Sequence, residues 1–326
     1  MFSAPVGYAR FYNSFASGLC LIAEKGREMS RTLLEKHLVT ALVAAKKAGE
    51  AILEVYHGEI DVSYKEDDSP LTLADKRAHS AIASHLSSDS SSGIPVLSEE
   101  GKHTPYEERK GWEYYWLVDP LDGTKEFVKR SDEFTVNIAL IEKNRPVLGV
   151  VFLPAMGCLY FAAEGLGSYK LEDVETIGQL VTGAGEFSDA NKALKALIEA
   201  ANRLPVQHSF KKSRDQLNLV GSRSHGTEAL SDFVEKMKQQ YKKVDFVPAG
   251  SALKLCLVAE GNADIYPRFG PTMEWDTAAG HCVVEQSGGK VVDMKKKAPL
   301  DYNKRDLHNP HFVCIAKHFR GVSLSL

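Results

Sequence analysis

Apolar residues recur at helical spacing early in the chain, with Leu34, Leu38, Leu42, Ala45, Ala48, Ile52 and Val55 on one face and Gly58 as a stop signal. Thr32-x-x-Glu35 resembles a capping box and places the helix start near Thr32. A short strand over 60–65 gives way to the polar loop Glu66-Asp67-Asp68-Ser69-Pro70. A second helix, about 72–86, puts Ala74, Ala78, Ile82 and Leu86 on one side. After a Ser-rich loop at 87–92, Pro95-Val96-Leu97 reads as a brief strand. The period then changes. Tyr114 to Val118 is an unbroken apolar run, the mark of a buried strand. Antiparallel strands are expected near 134–142, 146–153 and 158–163, the first two joined by Lys143-Asn144-Arg145-Pro146.

Residues 171–215 are polar and irregular, carry one helix near 190–202, and read as an insertion. From Leu217 onward strands near 217–221, 244–248, 263–267, 290–293 and 311–316 alternate with helices near 226–241, 251–260 and 276–286. The pattern divides the chain into an N-terminal extension (1–31), an α+β domain (32–215, insertion included) and an α/β domain (216–326).

Composition excludes more than it selects. A net charge of −3 over 326 residues offers no electrostatic case for a nucleic-acid polymer or a membrane surface, and no apolar run has the length of a membrane span. An anionic substrate would therefore need metals or a few placed basic side chains. The five cysteines are odd in number, widely spaced and free of any CxxC pair, which points to a reducing, cytoplasmic setting. Residues 1–31 are either a disordered or loosely docked tail or an organellar targeting segment, though their early part is poor in Arg. Oligomeric state is not legible.

The chemistry concentrates in Asp119-Pro120-Leu121-Asp122-Gly123-Thr124, where an apolar strand feeds a rigid turn with two carboxylates three positions apart. Pro120 fixes one backbone angle, Gly123 admits close approach of a ligand, and Thr124 opens a helix whose first amides favour an anion. Carboxylates beside an anion site imply cations between them, and Mg²⁺ takes a few carboxylates plus phosphate oxygens. Asp75, Glu99 and Asp276 also fall at element ends, where a fold can gather distant side chains. Taken singly, each acid is better explained by capping or solvation, and only their convergence points to a metal site. Lys295-Lys296-Lys297 reads as a solvated turn, Gly288-Gly289 as a turn lacking the Lys-Ser/Thr of a phosphate loop, and the eleven histidines lack paired ligand spacing.

The pair of motifs Asp119–Thr124 and Trp275-Asp276-Thr277-Ala278-Ala279-Gly280 resembles the Mg²⁺-dependent, lithium-sensitive phosphatase superfamily of inositol monophosphatase and fructose-1,6-bisphosphatase. Segments 65–75, 97–100, 119–127, 134–140 and 266–272 are similar to the CysQ-type 3′(2′),5′-bisphosphate nucleotidase branch. The likeness covers about 32–170 and 216–316. It implies a layered αβαβα sandwich and two, or three, bound Mg²⁺ ions. Glu99, Asp119, the Leu121 carbonyl, Asp122 and Asp276 would be metal ligands, while Asp75 and Thr124 would serve the attacking water. Gly123 and Thr124 amides would hold the phosphoryl group, and Ser222, His225, Gly250, Lys254 and Arg268 would contact a small-molecule nucleotide. The implied reaction is removal of the 3′-phosphate of 3′-phosphoadenosine 5′-phosphate to give AMP, with the phosphosulfate analogue as a further substrate. An inositol-phosphate or sugar-bisphosphate phosphatase is the alternative on the same scaffold, although Lys125-Glu126 argues against the inositol branch. A non-catalytic nucleotide-binding protein is the alternative from another class.

Overall fold

The computed structural model describes residues 29–58, 60, 62–64, 70–88, 93–172, 190–206, 215–222 and 227–319. Helices α1 (Arg31–Tyr56) and α2 (Leu73–Ser88) form the first layer, and every apolar residue assigned to their inner faces is buried. Ser30, rather than Thr32, caps α1: its hydroxyl accepts from the Leu33 amide, and Thr32 lies one residue inside the helix. The cap sits earlier because a serine with extended backbone precedes Arg31, and Arg31 in turn pairs with Glu35. A small hairpin, β1 (Val62–Tyr64) with β2 (Pro70–Thr72), precedes α2, so Pro70 is an edge-strand residue rather than part of the loop.

The second layer is a seven-stranded sheet in sequential order. It comprises β3 (Val96–Ser98), β4 (Tyr114–Asp122), β5 (Thr135–Glu142), β6 (Arg145–Leu153), β7 (Cys158–Ala163), β8 (Gly167–Leu171) and β9 (Asn202–Arg203). Only β3 and β4 run parallel. Both faces are covered, which explains the unbroken apolar run in β4. Trp116 and Val118 pack towards α1, Tyr115 and Leu117 towards the interior of the molecule. Two short helices, α3 (Tyr106–Arg109) and α4 (Thr124–Val128), flank β4. The helix α5 (Ala190–Ala200) and the edge strand β9, within the segment read as an insertion, dock on α1 and β8.

Beyond α6 (Glu228–Gln240), helices α7 (Leu253–Glu260) and α8 (Glu274–Gln286) fill the middle layer. Gly149 on β6 lets α8 approach so closely that a β-carbon there would lie 2.3 Å from the Ala279 carbonyl. The second sheet has the order β11 (Lys243–Pro248), β10 (Gln216–Gly221), β12 (Ile265–Arg268), β15 (Phe312–Ile315), β13 (Lys290–Asp293), β14 (Ala298–Pro299). Its β11–β10–β12 part is parallel and the rest antiparallel. Phe233 and Met237 of α6 close the outer face against Leu217, Leu219 and Ile265. The layers thus run αβαβα, as expected. Sequence periodicity missed β2, β8, β9 and β14, which are short and lack clear alternation.

Candidate active site

Asp119 and Asp122 are not on a turn after the strand. They lie within β4, on either side of a bulge at Pro120-Leu121, where the register against β5 slips. A bulge re-aims side chains that a regular strand would send to opposite faces or pair away. The Leu121 amide donates to Asp119 Oδ1 at 3.0 Å and holds that carboxylate in the bulge. Thr135 Oγ1 and Asn137 Nδ2 on β5 each lie 3.4 Å from Asp122 Oδ2. Gly123, at φ +87°, turns the chain into α4. The turn is locked from the second half of the chain: Ser251 Oγ lies 2.9 Å from the Asp122 carbonyl and 2.8 Å from that of Glu133. One hydroxyl proton serves these two acceptors in turn. The Gly250 amide donates to Glu133 Oε2 at 2.8 Å.

Asp75 is buried in the first turn of α2, where its Oδ2 accepts 2.7 Å hydrogen bonds from the Thr72 amide and hydroxyl. Its other oxygen is 3.3 Å from Thr124 Oγ1, which also lies 3.3 Å from the Leu121 carbonyl. Glu99 follows β3, with its amide bonded to the Val118 carbonyl at 3.1 Å, so the parallel β3–β4 pair delivers Glu99 beside Asp119. Asp276 stands in the first turn of α8 and accepts from the Met273 amide at 2.9 Å.

Glu99, Asp119, Asp122 and Asp276 share one electrostatic environment. Burial first, then the charges of Glu99, Asp122 and Asp276, holds Asp119 well above the usual carboxylate range. Asp276 is raised in the same way, by burial and then by Asp122. Burial lifts Asp122 to about 6 against the opposing pull of Lys254. Asp75 is likewise raised to about 6, chiefly by burial.

Asp122, Gly123, Ser222, Gly250, Lys254, Arg268 and Asp276 line one open cleft, between the carboxyl ends of β10 and β12 and the bulge of β4. Lys254 is buried, donates to the Ser251 carbonyl at 2.7 Å and stands 5.7 Å over the Tyr266 ring. Burial pulls its ammonium down to about 8 although Asp122, Glu126 and Asp276 all favour the charged form. Arg268 donates to the Pro271 carbonyl at 2.8 Å, while its buried Nε has no hydrogen-bond partner among the described residues. Tyr266 packs in the interior, and the partly buried Phe269 packs against Phe233 and His311. His225 and Arg223 lie outside the described residues.

Glu126, Ser251 and Thr272 also face or brace the cleft, and sequence reasoning did not select them. Ser251 carried the weakest signal, since its φ of +46° is unusual for a residue with a β-carbon. The adjoining Gly250 was the only hint of a tight approach.

Among the described residues no three acidic, His or Cys side chains stand close enough to form a ready-made metal cluster. The donor chemistry nevertheless suits a hard cation. All the candidate ligands are oxygens, and a bound cation would oppose the burial and mutual repulsion that raise the pKa of Asp119 and Asp276.

An αβαβα sandwich with an acid-rich cleft at the ends of its sheets defines a phosphomonoesterase scaffold. Residues 33–323 match the inositol monophosphatase family. The 3′(2′),5′-bisphosphate nucleotidase CysQ of Escherichia coli K12 is 43% identical over 271 residues, 82% of this chain and 95% of that protein. The crystal structure of CysQ from Bacteroides thetaiotaomicron superposes with a TM-score of 0.75 at 45% identity, covering 87% of this chain and 98% of that one. An inositol monophosphatase of Thermotoga maritima, at 21% identity and a TM-score of 0.60, covers 85% and 91% and shares the fold. The chain belongs to the inositol monophosphatase family, whose members are metal-dependent phosphatases, and is an enzyme of that class. The family resemblance carried by Asp119–Thr124 and Trp275–Gly280 is thereby borne out.

Proposed function

We propose that this enzyme removes the 3′-phosphate of 3′-phosphoadenosine 5′-phosphate, giving AMP and phosphate, with two or three Mg²⁺ ions as cofactors. The observation that carries the reading is a single cleft lined both by the carboxylates Asp122, Glu126 and Asp276 and by the basic side chains Lys254 and Arg268. Such a cleft has groups for the phosphate that is cleaved and for the one that is not. The CysQ-named relatives support the same substrate. Four buried free thiols, Cys158, Cys256, Cys282 and Cys314, support a cytoplasmic setting.

In this reading Glu99, Asp119, the Leu121 carbonyl, Asp122 and Asp276 hold the metal. Bound Mg²⁺ supplies an acidified water and neutralises charge on the leaving oxygen. Thr124 Oγ1, which donates to Asp75 Oδ1, would relay the proton of the attacking water, accepting it while passing its own hydroxyl proton to the Asp75 carboxylate. The amides of Gly123 and Thr124 hold the phosphoryl oxygens, a charge-stabilising role that dominates phosphoryl transfer. Ser222, Gly250, Lys254 and Arg268 bind the rest of the nucleotide, together with His225. Residues 32–215 thus supply most of the metal ligands and 216–326 the nucleotide contacts.

The test is phosphate release from 3′-phosphoadenosine 5′-phosphate, its phosphosulfate analogue, inositol 1-phosphate and fructose 1,6-bisphosphate, with Mg²⁺ and with EDTA. Release confined to the adenosine bisphosphates, abolished by EDTA and inhibited by millimolar Li⁺, is expected. Faster turnover of inositol 1-phosphate would transfer the assignment to that substrate class. Undiminished release in EDTA would overturn the metal site.

A further inference from the structure

The cleft binds phosphates and carries a metal site in the reading above, yet among the described residues its lining contains no accessible aromatic face for a base. Tyr266, the aromatic residue in its wall, is buried, with the Lys254 ammonium over its ring. Five large hydrophobic side chains are exposed among the described residues, namely Leu33, Leu73, Val128, Met156 and Phe246. Phe246 is the one aromatic among them, with 44% of its surface open.

Its place in the sheet is specific. Phe246 lies on β11 opposite Leu219 of β10, two residues short of the strand end. Its ring leans forward from there towards the carboxyl edge of the sheet and covers Gly221. A β-carbon at Gly221 would lie 2.6 Å from Phe246 Cζ and 2.9 Å from Cε2, so glycine is what seats the ring. The next residue is Ser222, which lines the cleft. From Phe246 itself β11 runs through Val247, Pro248 and Ala249 into the cleft residue Gly250. Both strands that bracket this ring therefore end at the cleft. An apolar ring held on a glycine shelf, half open to water beside an anion-binding site, has the form of a base platform. Every nucleobase presents a π face, so such a platform binds without needing hydrogen-bond readout.

We propose that Phe246 is the residue on which the nucleobase of the substrate stacks, and that it selects nucleotides over phosphorylated alcohols that lack a base. The inference rests on the nucleotide reading above. It is tested with the full-length Mg²⁺-loaded enzyme and two substrates, 3′-phosphoadenosine 5′-phosphate and the base-free 1-deoxyribose 3,5-bisphosphate. Phe246→Ala and Phe246→Leu should each raise KM for the nucleotide about tenfold, within the range alanine substitution gives for base stacking. Phe246→Trp should keep it near wild type, and KM for the base-free substrate should not change in any variant. Unchanged thermal midpoints show that the exposed position leaves folding intact. Equal KM changes on both substrates, or wild-type behaviour of Phe246→Leu on the nucleotide, would overturn the stacking role while leaving the nucleotidase reading in place. A wild-type enzyme that turns over inositol 1-phosphate but neither bisphosphate would overturn the substrate reading, and the stacking role with it.

Discussion

Replacing Gly123 by alanine probes the site at its tightest point. Gly123 has φ +87°, and a β-carbon there would fall 2.1 Å from Ser251 Oγ and 3.3 Å from Glu126 Oε2. The serine hydroxyl cannot retreat without loss, because it lies 2.9 Å from the Asp122 carbonyl and 2.8 Å from that of Glu133. Two costs add. Left-handed backbone costs a residue with a β-carbon about 1–2 kcal/mol. Giving up the serine hydrogen bond costs about 1 kcal/mol more. A destabilisation of roughly 2–3 kcal/mol follows, visible as a lowered midpoint in thermal denaturation. Activity should fall more steeply, on the order of 100-fold in kcat/KM, because Gly123 separates Asp122 from Thr124 and small displacements of reacting groups are expensive. Ser251→Ala separates the steric part from the conformational part. It deletes the atom at 2.1 Å, so Gly123→Ala should cost about 1 kcal/mol less in that background. Equal costs in the two backgrounds, or a Gly123→Ala enzyme with wild-type midpoint and kcat/KM, would refute this account of the turn.

Asp122→Asn keeps the shape of the side chain but removes a charge from the proposed ligand set. Phosphate release at saturating Mg²⁺ should drop by more than about 100-fold, beyond what an outer-shell partner costs, and retained activity would show that the metal sits elsewhere. Lys254→Met should raise KM for the bisphosphate nucleotide at least about tenfold, the scale of a lost charge-assisted hydrogen bond; a change in kcat alone would place Lys254 in the chemical step instead. Tyr160→Phe removes a buried hydroxyl that donates to Glu260, which also pairs with Lys170 at 3.1 Å. Denaturant melts should show about 1–2 kcal/mol less stability with KM unchanged, and a shifted KM would tie this pair to the cleft. Gly149→Ala forces β6 away from the Ala279 carbonyl, and overpacking of this kind costs about 1–3 kcal/mol. Since α8 also carries Asp276, activity should fall together with the melting midpoint; a normal midpoint would mean that the layers yield freely.

The local sequence determined what depends on periodicity and residue chemistry. Leu34 to Val55 and Ala74 to Leu86 could be read as helix faces because one side of each is buried and the other wet. The run from Tyr114 to Val118 could be read as a buried strand because covering both faces of the sheet removes alternation. Asp75, Glu99, Asp122 and Asp276 were legible as acids at or just beyond element ends, and Asp119 as the partner of Asp122 in one short motif. Only the tertiary structure decided that Asp119 and Asp122 sit on a bulge, since register slips against β5 are set by the partner strand. Propensity likewise does not encode the left-handed Ser251 that bolts the bulge to α7, nor the placing of Phe246 over Gly221. Each of these depends on contacts between segments distant in sequence, and no local pattern specifies which distant backbone will arrive.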